Sequence, residues 1–174
     1  MKIIKLLTII SLLLIISQKV DADTHYVSPS GGNVSPFTSW TTAATNIQNA
    51  VDVATDGDVV LVTNGIYNSG ERVTPGYSCS NRVVITKDII VKSVNGPENT
   101  IILGKGPNGS NAVRCVYMSA GTLAGFTVSN GHTWTSGNTS YDRNGGGINM
   151  YSGSGIITNC TIGGNSANRN GGKH

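Results

Sequence analysis

TLAGFTVSNG (residues 122–131) and IITNCTIGGN (residues 156–165) are two copies of one pattern in this 174-residue chain. Aligned without gaps, they pair Leu123 with Ile157, Gly125 with Asn159, Phe126 with Cys160, Thr127 with Thr161 and Val128 with Ile162. Apolar residues therefore recur at equivalent places, in runs of strand length between glycine and asparagine turns. Such internal repetition indicates an architecture in which equivalent residues of successive units stack on one another.

The second copy lies within GGGINMYSGSGIITNCTIGGNSANRNGG (145–172), where one glycine cluster begins at Gly145 and the next at Gly171. This interval fits one coil of a three-sided parallel β-helix. Such a coil needs about 22–26 residues, since each side takes several residues at roughly 3.3 Å apiece and each corner needs a turn. The predicted inward-facing residues of this coil are Ile148, Met150, Ile156, Cys160 and Ile162. The insert at 132–144 lengthens the spacing between the two copies beyond this interval.

The rest of the chain supports the same architecture. After residue 58 it consists of short apolar runs, and most of the connections between them are too short for crossover helices. The internal repetition favours a solenoid over a sandwich or barrel. The apolar residues of NIQNAVDVA (46–54) recur at helical spacing, and Thr45 or Asn46 can cap the helix start. We expect an all-β fold: a right-handed parallel β-helix with a helix at about 46–54 that caps its first coil.

The first 22 residues are predicted to be a secretory signal peptide, cleaved after Ala22. Lys2 and Lys5 precede an apolar run of about 11 residues, well short of the roughly 20 that a spanning helix needs. No later segment is long and apolar enough to span a membrane. The domain at 23–174 is therefore expected to be secreted, extracellular or on the outer cell surface.

Composition restricts the class of partner. Charged residues are 12% of the chain, about half the usual share, whereas glycine occurs 23 times and asparagine, serine and threonine 18 times each. Removal of residues 1–22 takes away three lysines and one aspartate, which leaves nine basic and eight acidic residues, a net charge of +1. Without a basic patch interleaved with aromatic residues, nucleic acid is not an expected partner.

The cysteines and histidines show no metal-ligand spacing, so no metal or cofactor is expected. Three cysteines leave at least one without an intramolecular partner, and a Cys79–Cys115 bridge remains open. Cys160 aligns with Phe126, which predicts a small, buried apolar residue. His25 and His132 are expected to be isolated surface histidines.

Few residues are candidates for catalysis. A glycosidase needs two facing carboxylates and a calcium-assisted lyase needs several oxygen ligands, yet no predicted mid-coil strand carries a DxD or DD pair. Asp56 and Asp58 lie in the turn between the helix and the next strand, and they are interpreted as acceptors for backbone N–H groups. No catalytic residue is therefore assigned.

The loop at 132–144 holds the candidate ligand-binding residues, which are Trp134, Tyr141, Asp142 and Arg143. An aromatic ring beside a carboxylate and a guanidinium can bind sugar by stacking and hydrogen bonding, and loops that leave a rigid scaffold commonly carry such residues. The alternative is a solvated loop with an incidental ion pair. Glu71-Arg72, after the first coil, is a second candidate with fewer potential partners nearby.

The order of these motifs resembles a known superfamily. The motifs are YVSPSGGN (26–33), SWTTAATNIQNAVDVATDGDVVLVTNGIYNSGE (39–71) and GGGI…IITNCTI (145–162), after a signal peptide. The chain resembles the N-terminal part of secreted bacterial right-handed β-helix repeat proteins of the pectin-lyase-like superfamily. It is more weakly similar to polymorphic outer-membrane adhesins, whose repeats carry GGAI and FxxN, because Phe126 is followed by Asn130 one residue too late. The resemblance covers nearly all of 23–174.

The resemblance implies the fold and leaves the activity open. Superfamily enzymes, which include polysaccharide lyases, galacturonases and pectin esterases, place carboxylates along one exposed sheet. Because this chain has few, we expect a glycan-binding or adhesin-like scaffold without a catalytic site in this segment, its partner a polysaccharide or cell-surface glycan. The alternatives are the N-terminal segment of a polysaccharide lyase or glycoside hydrolase, and a structural spacer. Since 170–174 provides no cap, the chain is expected to be truncated, with further C-terminal coils missing.

Overall fold

The computed structural model describes residues 21–150 and 154–169, so most of the predicted signal peptide and the end of the chain lie outside the described residues. Within these ranges the chain forms one short helix, α1 (Ile47–Val53), and a series of short strands. The strands are β1 (Thr24–Val27), β2 (Val59–Val62), β3 (Gly65–Tyr67), β4 (Arg72–Val73), β5 (Ser80–Ile85), β6 (Ile90–Ser93), β7 (Thr100–Leu103), β8 (Val113–Met118), β9 (Thr122–Ala124), β10 (Thr127–Ser129), β11 (Ile148–Asn149), β12 (Ile156–Thr158) and β13 (Thr161–Ile162).

The strands form three sheets that run along the molecule. The first has the order β1-β2-β6-β9-β12, the second β3-β7-β10-β13 and the third β4-β5-β8-β11. The pairings are parallel, apart from the antiparallel pair of β4 and β5 at the edge of the third sheet. Because neighbouring strands come from successive turns of the chain, the fold is a parallel β-solenoid, or β-helix, of about four turns. The predicted all-β solenoid with a single N-terminal helix is confirmed.

The last turns have the register that the sequence repeat predicts. The parallel pairs include Leu123 with Ile157, Thr127 with Thr161 and Val128 with Ile162. Gly125 and Asn159, at the bends between these strands, have φ angles of +80° and +49°. Glycine and asparagine are the residues that most readily adopt this left-handed conformation, so the aligned pair makes the same bend in both coils.

The coils are longer than the glycine spacing predicts. In the first sheet Val60 pairs with Val91, and Val91 pairs in turn with Leu123, so each of these turns of the chain exceeds the interval between Gly145 and Gly171. The strands themselves are short. The excess length therefore lies in the connections between the strands. In the following turn, from Leu123 to Ile157, the connection at 132–144 adds length in the same way.

Glycines stack where the coils approach most closely. A Cβ atom on Gly146 would lie 2.0 Å from the Ser166 carbonyl oxygen, and one on Gly131 would lie 2.0 Å from the Gly146 carbonyl oxygen. A Cβ on Gly104 would lie 2.4 Å from the Gly131 Cα. This column of glycines accounts for part of the repeated glycine clusters, since any side chain there would separate the coils.

The predicted inward set of the last coil is partly wrong. Ile148 and Cys160 pack against the core as expected. Ile156 is 59% exposed, because it pairs with Thr122 on the outer face of the first sheet, and Ile157 takes the inward position.

Ile162 and Met150, the other two members of that set, are 41% and 38% exposed. Ile162 keeps the register of the fully buried Val128. Its exposure follows from its place in the last described coil rather than from an outward orientation.

Helix α1 closes the N-terminal end of the core, as predicted. Asn46 accepts a hydrogen bond from the Asn49 amide through its side chain at 2.9 Å, which caps the helix start. The apolar face, represented by Ile47 and Val51, is buried in the core. No helix in the described ranges is long and apolar enough to cross a membrane.

Lys87 binds the C-terminal end of the same helix. Its Nζ donates to the carbonyl oxygens of Val51, Asp52 and Ala54 at 2.9, 2.9 and 2.6 Å. These carbonyls have no partner inside the helix, and a cation there also interacts favourably with the helix dipole. The lysine, just after β5, thereby joins the helix to the third sheet.

A buried carboxylate joins the first strand to the turn after α1. Asp58 is 3% exposed. It accepts hydrogen bonds from the Asp23 amide at 2.9 Å, from the Thr55 amide at 2.6 Å and from the Thr55 hydroxyl at 3.0 Å. His25 Nε2 lies 3.3 Å from the same carboxylate and His25 Nδ1 lies 2.7 Å from the Pro36 oxygen. The prediction that His25 lies at the surface is wrong, because the residue is 4% exposed and both of its ring nitrogens have hydrogen-bond partners.

Acid is expected to weaken the fold through Asp58. Desolvation favours a higher pKa, but the hydrogen bonds from Thr55, Asp23 and His25 outweigh it and lower the pKa to about 2. The pKa of Asp58 is lower in the folded protein than in the unfolded chain, so its ionised carboxylate stabilises the fold. This stabilisation, about 2 kcal/mol, is complete above pH of about 4 and is lost as the pH falls toward about 2. Urea unfolding between pH 5 and pH 2 measures it. Asp58→Asn should lack this component, and equal acid losses in both proteins would contradict the assignment.

Candidate functional site

The loop at 132–144 folds back over the outer face of the third sheet. Val116 and Met118 of β8 lie in the core, so Tyr117 between them faces outward. Tyr117 is nevertheless only 6% exposed, and its ring centroid lies 6.4 Å from that of Tyr141 in the loop. The loop therefore covers part of the sheet and brings its own aromatic ring to that surface.

Asp142 anchors this loop to the turn before β5. Its Oδ1 accepts hydrogen bonds from the backbone amides of Ser78 and Cys79 at 2.8 and 2.9 Å, and its Oδ2 accepts one from the Asn138 amide at 2.8 Å. The residue is 3% exposed. Its carboxylate therefore accepts hydrogen bonds both from the turn before β5 and from its own loop. Asp142 is thus a positioning residue, which fixes the loop against that turn.

Arg114, in β8, hydrogen-bonds to the backbone at the end of this loop. It is fully buried, and its guanidinium donates through every N–H direction available to it. The acceptors are Gly145 O (2.8 Å), Thr74 Oγ1 (3.2 Å), Asn81 Oδ1 (2.9 Å), Tyr141 O (2.7 Å) and Asn144 O (2.9 Å). Burial lowers the pKa of Arg114, and the charge of the nearby Asp142 opposes that effect. The arginine fixes both ends of the segment from Tyr141 to Gly145.

Two tyrosines stack on this support. The rings of Tyr77 and Tyr141 have centroids 3.9 Å apart and planes 10° apart. Both side chains are partly exposed, whereas Tyr117 beneath them is buried. Desolvation and the neighbouring Tyr141 raise the pKa of Tyr77, so its phenol is neutral at physiological pH. The result is a rigid aromatic surface at a corner of the solenoid.

A cleft of about 210 Å³ is bordered by the loop residues that flank Tyr141 in sequence. Its lining residues are Ser140, Asn144, Gly145, Ile148, Asn149 and Met150. Asn149 donates through Nδ2 to the oxygens of Ser140 and Asn144 at 2.7 and 3.3 Å, so this wall is ordered by side chain and backbone together. These described lining residues are uncharged. The cleft is smaller than the roughly 300–1,000 Å³ of typical small-molecule pockets, so a ligand would lie across it.

The remaining predicted site residues lie at the edge of this group. The Trp134 amide donates to the Asp142 carbonyl at 3.0 Å, while the indole Nε1 is buried and has no hydrogen-bond partner in the described part of the chain. Arg143 donates through Nε to Asn168 Oδ1 at 2.8 Å. The structure thus unites Tyr141 and Asp142 with Tyr77, whereas Trp134 is half-buried and its indole Nε1 is shielded from solvent.

Glu71 and Arg72 do not form a joint site. Glu71 binds Arg82 at 2.8 Å, and Arg72 forms its own ion pair with Asp52. A second cleft of about 210 Å³ lies beside Glu71 and Lys105 and is mostly polar.

The cysteines are unpaired, and two of the three are buried. Cys79, Cys115 and Cys160 are all free, so the open Cys79–Cys115 bridge is not formed. Burial raises the pKa of the Cys79 thiol and raises that of Cys115 to about 12, which keeps both neutral and unreactive. In the part of the chain that the structure describes, no three His, Cys, Asp or Glu side chains are arranged to hold a metal ion.

Comparison with known proteins adds no relative. No family model matches the chain, and neither the curated proteins nor the solved structures contain a significant match. The chain's function must therefore be argued from its own residues.

Proposed function

We propose that this chain is a secreted or cell-surface glycan-binding scaffold of adhesin-like type, and that the Tyr77–Tyr141 pair and the adjacent cleft form its contact site. The observation that carries the proposal is the aromatic stack, held by Asp142 and Arg114 at a corner of the solenoid. Asp142 and Arg114 are both buried and hydrogen-bonded to backbone groups, so they hold the segment that carries the Tyr141 ring in one position.

The chemistry of the site fits a sugar. A pyranose ring presents a face of C–H groups, which packs on an aromatic ring, and a rim of hydroxyls, which require donors and acceptors. The rings of Tyr77 and Tyr141 provide the aromatic surface for the C–H face, and Ser140 and Asn144 provide polar groups for the hydroxyls. Because the described residues that line the cleft are uncharged, a neutral glycan is a better fit than a polyuronate.

The same features weigh against a lyase or hydrolase site at this corner. Both reactions need carboxylates that reach the substrate, and none of the described residues that line the cleft is acidic. Asp142, the nearest acidic residue in sequence, is buried and engaged with three backbone amides. This supports binding over catalysis in this segment.

Alanine at Tyr77 or Tyr141 is expected to weaken glycan binding about 10-fold, which is roughly 1.4 kcal/mol. The chain is first screened against immobilised neutral and uronate oligosaccharides, and the tightest neutral ligand is then titrated by calorimetry. Tyr26→Ala is the matched control, since Tyr26 pairs with Trp40 elsewhere, with centroids 4.6 Å apart.

Unchanged affinity in both test variants, or loss only in the Tyr26 variant, would remove the corner as the site. Incubation with polygalacturonate provides a separate check. Release of unsaturated product would replace the binding proposal with the lyase alternative.

A further inference from the structure

Among the described residues, which begin at Asp21, the hydrogen bonds of the fold begin at Asp23. Its carbonyl accepts a hydrogen bond from the Val59 amide at 2.9 Å, and its nitrogen donates to Asp58 Oδ1 at 2.9 Å. Asp21 and Ala22 are exposed, and β1 begins at Thr24. The predicted cleavage point after Ala22 therefore lies directly before the first described residue whose backbone hydrogen-bonds to the rest of the fold.

We propose that cleavage of the Ala22–Asp23 bond converts the Asp23 nitrogen into an α-ammonium group whose counter-ion is the buried carboxylate of Asp58. The step is a hydrolysis by an export-linked endopeptidase. Water adds its oxygen to the Ala22 carbonyl carbon, which leaves as a carboxylate with the leader. The Asp23 nitrogen gains hydrogen and, once protonated, carries a positive charge. Removal of the leader thus adds a charged tie between the first strand and the turn after α1.

The surroundings of Asp58 fit this role. Its Oδ2 faces the amide and hydroxyl of Thr55 and the imidazole of His25, whereas Oδ1 faces the Asp23 nitrogen. The carboxylate is 3% exposed, so an ion pair there is little screened by solvent. A hydrogen bond between two charged groups is roughly twice as strong as one between neutral groups. Asp23's own side chain is exposed, and its charge is solvated.

The first experiment exports the full chain with its own leader and determines the mass of the purified product. A product that begins at Asp23 is expected, and one that begins at any other residue would overturn the proposal. The cleavage rests on the export that the proposed function includes, but it does not depend on glycan binding. The mass of the product and the glycan affinity can therefore fail separately.

The second experiment measures how fast the α-amino group of the exported protein is acylated at pH 7.5. An ion pair with Asp58 should raise its pKa by about one unit above the usual range near 8, so Asp58→Asn should speed acylation about 10-fold. Asp56→Asn is the matched control, since exposed Asp56 lies in the same turn and accepts from the Asp88 amide instead. Equal rates in the wild type and Asp58→Asn would overturn the ion pair.

A titration of the wild type alone serves if Asp58→Asn does not fold. The α-amino group of the folded protein should titrate about one pH unit higher than that of the same protein in urea. A folded-state midpoint at or below the unfolded one would overturn the proposal.

Discussion

Replacing Arg114 with methionine is expected to lower the free energy of unfolding by about 3–5 kcal/mol. Methionine fills much of the volume but donates no hydrogen bond, so the buried oxygens of Tyr141, Asn144 and Gly145 lose their partner. The nearby Asp142 carboxylate also loses a compensating charge. Urea unfolding followed by circular dichroism measures the change.

Arg72→Met is the matched control for this substitution. Arg72 also forms an ion pair, with Asp52, but its side chain is 53% exposed. Exposed pairs contribute less than about 1 kcal/mol, so the control should be close to the wild type. Similar losses in the two variants would show that Arg114 is not the support of the corner loop.

Asp142→Asn is expected to release the corner loop and to lower stability by about 2–4 kcal/mol. The asparagine side chain has one acceptor oxygen, whereas the aspartate has two. Its NH₂ group would therefore face a backbone N–H that now donates to Asp142, and that hydrogen bond would be lost. Hydrogen exchange detects this directly. The amides of Ser78, Cys79 and Asn138 should exchange at least about 10-fold faster, the change expected for about 1.4 kcal/mol of lost protection.

Glu98→Gln, at an exposed acidic residue, controls for the change in net charge. It should leave the three amides protected. The glycan affinity of Asp142→Asn should fall together with that of Tyr141→Ala, because the anchor holds the ring. Retained amide protection in Asp142→Asn would contradict the positioning role.

The repeat predicted register more reliably than it predicted orientation. Gly125 and Asn159 align because both coils need the same left-handed bend, and such a requirement is visible in sequence. Ile156 and Ile157 are adjacent and equally apolar, so alternation could not tell which of them faces inward. An error of one residue in the predicted alternation assigns the outward-facing side chain to the core, and this is the error made at Ile156.

Side chains whose partners lie far along the chain could not be placed from sequence. His25 is buried because it meets Pro36 and Asp58, 11 and 33 residues away. Tyr77 and Tyr117 were missed as site residues because only the fold brings them to Tyr141. The loop at 132–144 could be singled out because it interrupts the period, whereas the burial of Asp142 depends on amides 63 and 64 residues earlier.

Nuclear magnetic resonance of protein labelled with ¹³C in its tyrosine rings tests the central claim, that the corner aromatic pair contacts glycan. The neutral oligosaccharide selected by the binding screen is titrated into the labelled wild type. The ring signals of Tyr77 and Tyr141 should shift, while those of Tyr26 and of Tyr67, buried in the core, should not. Shifts confined to Tyr26, or tyrosine signals that do not move at saturating ligand, would contradict the account.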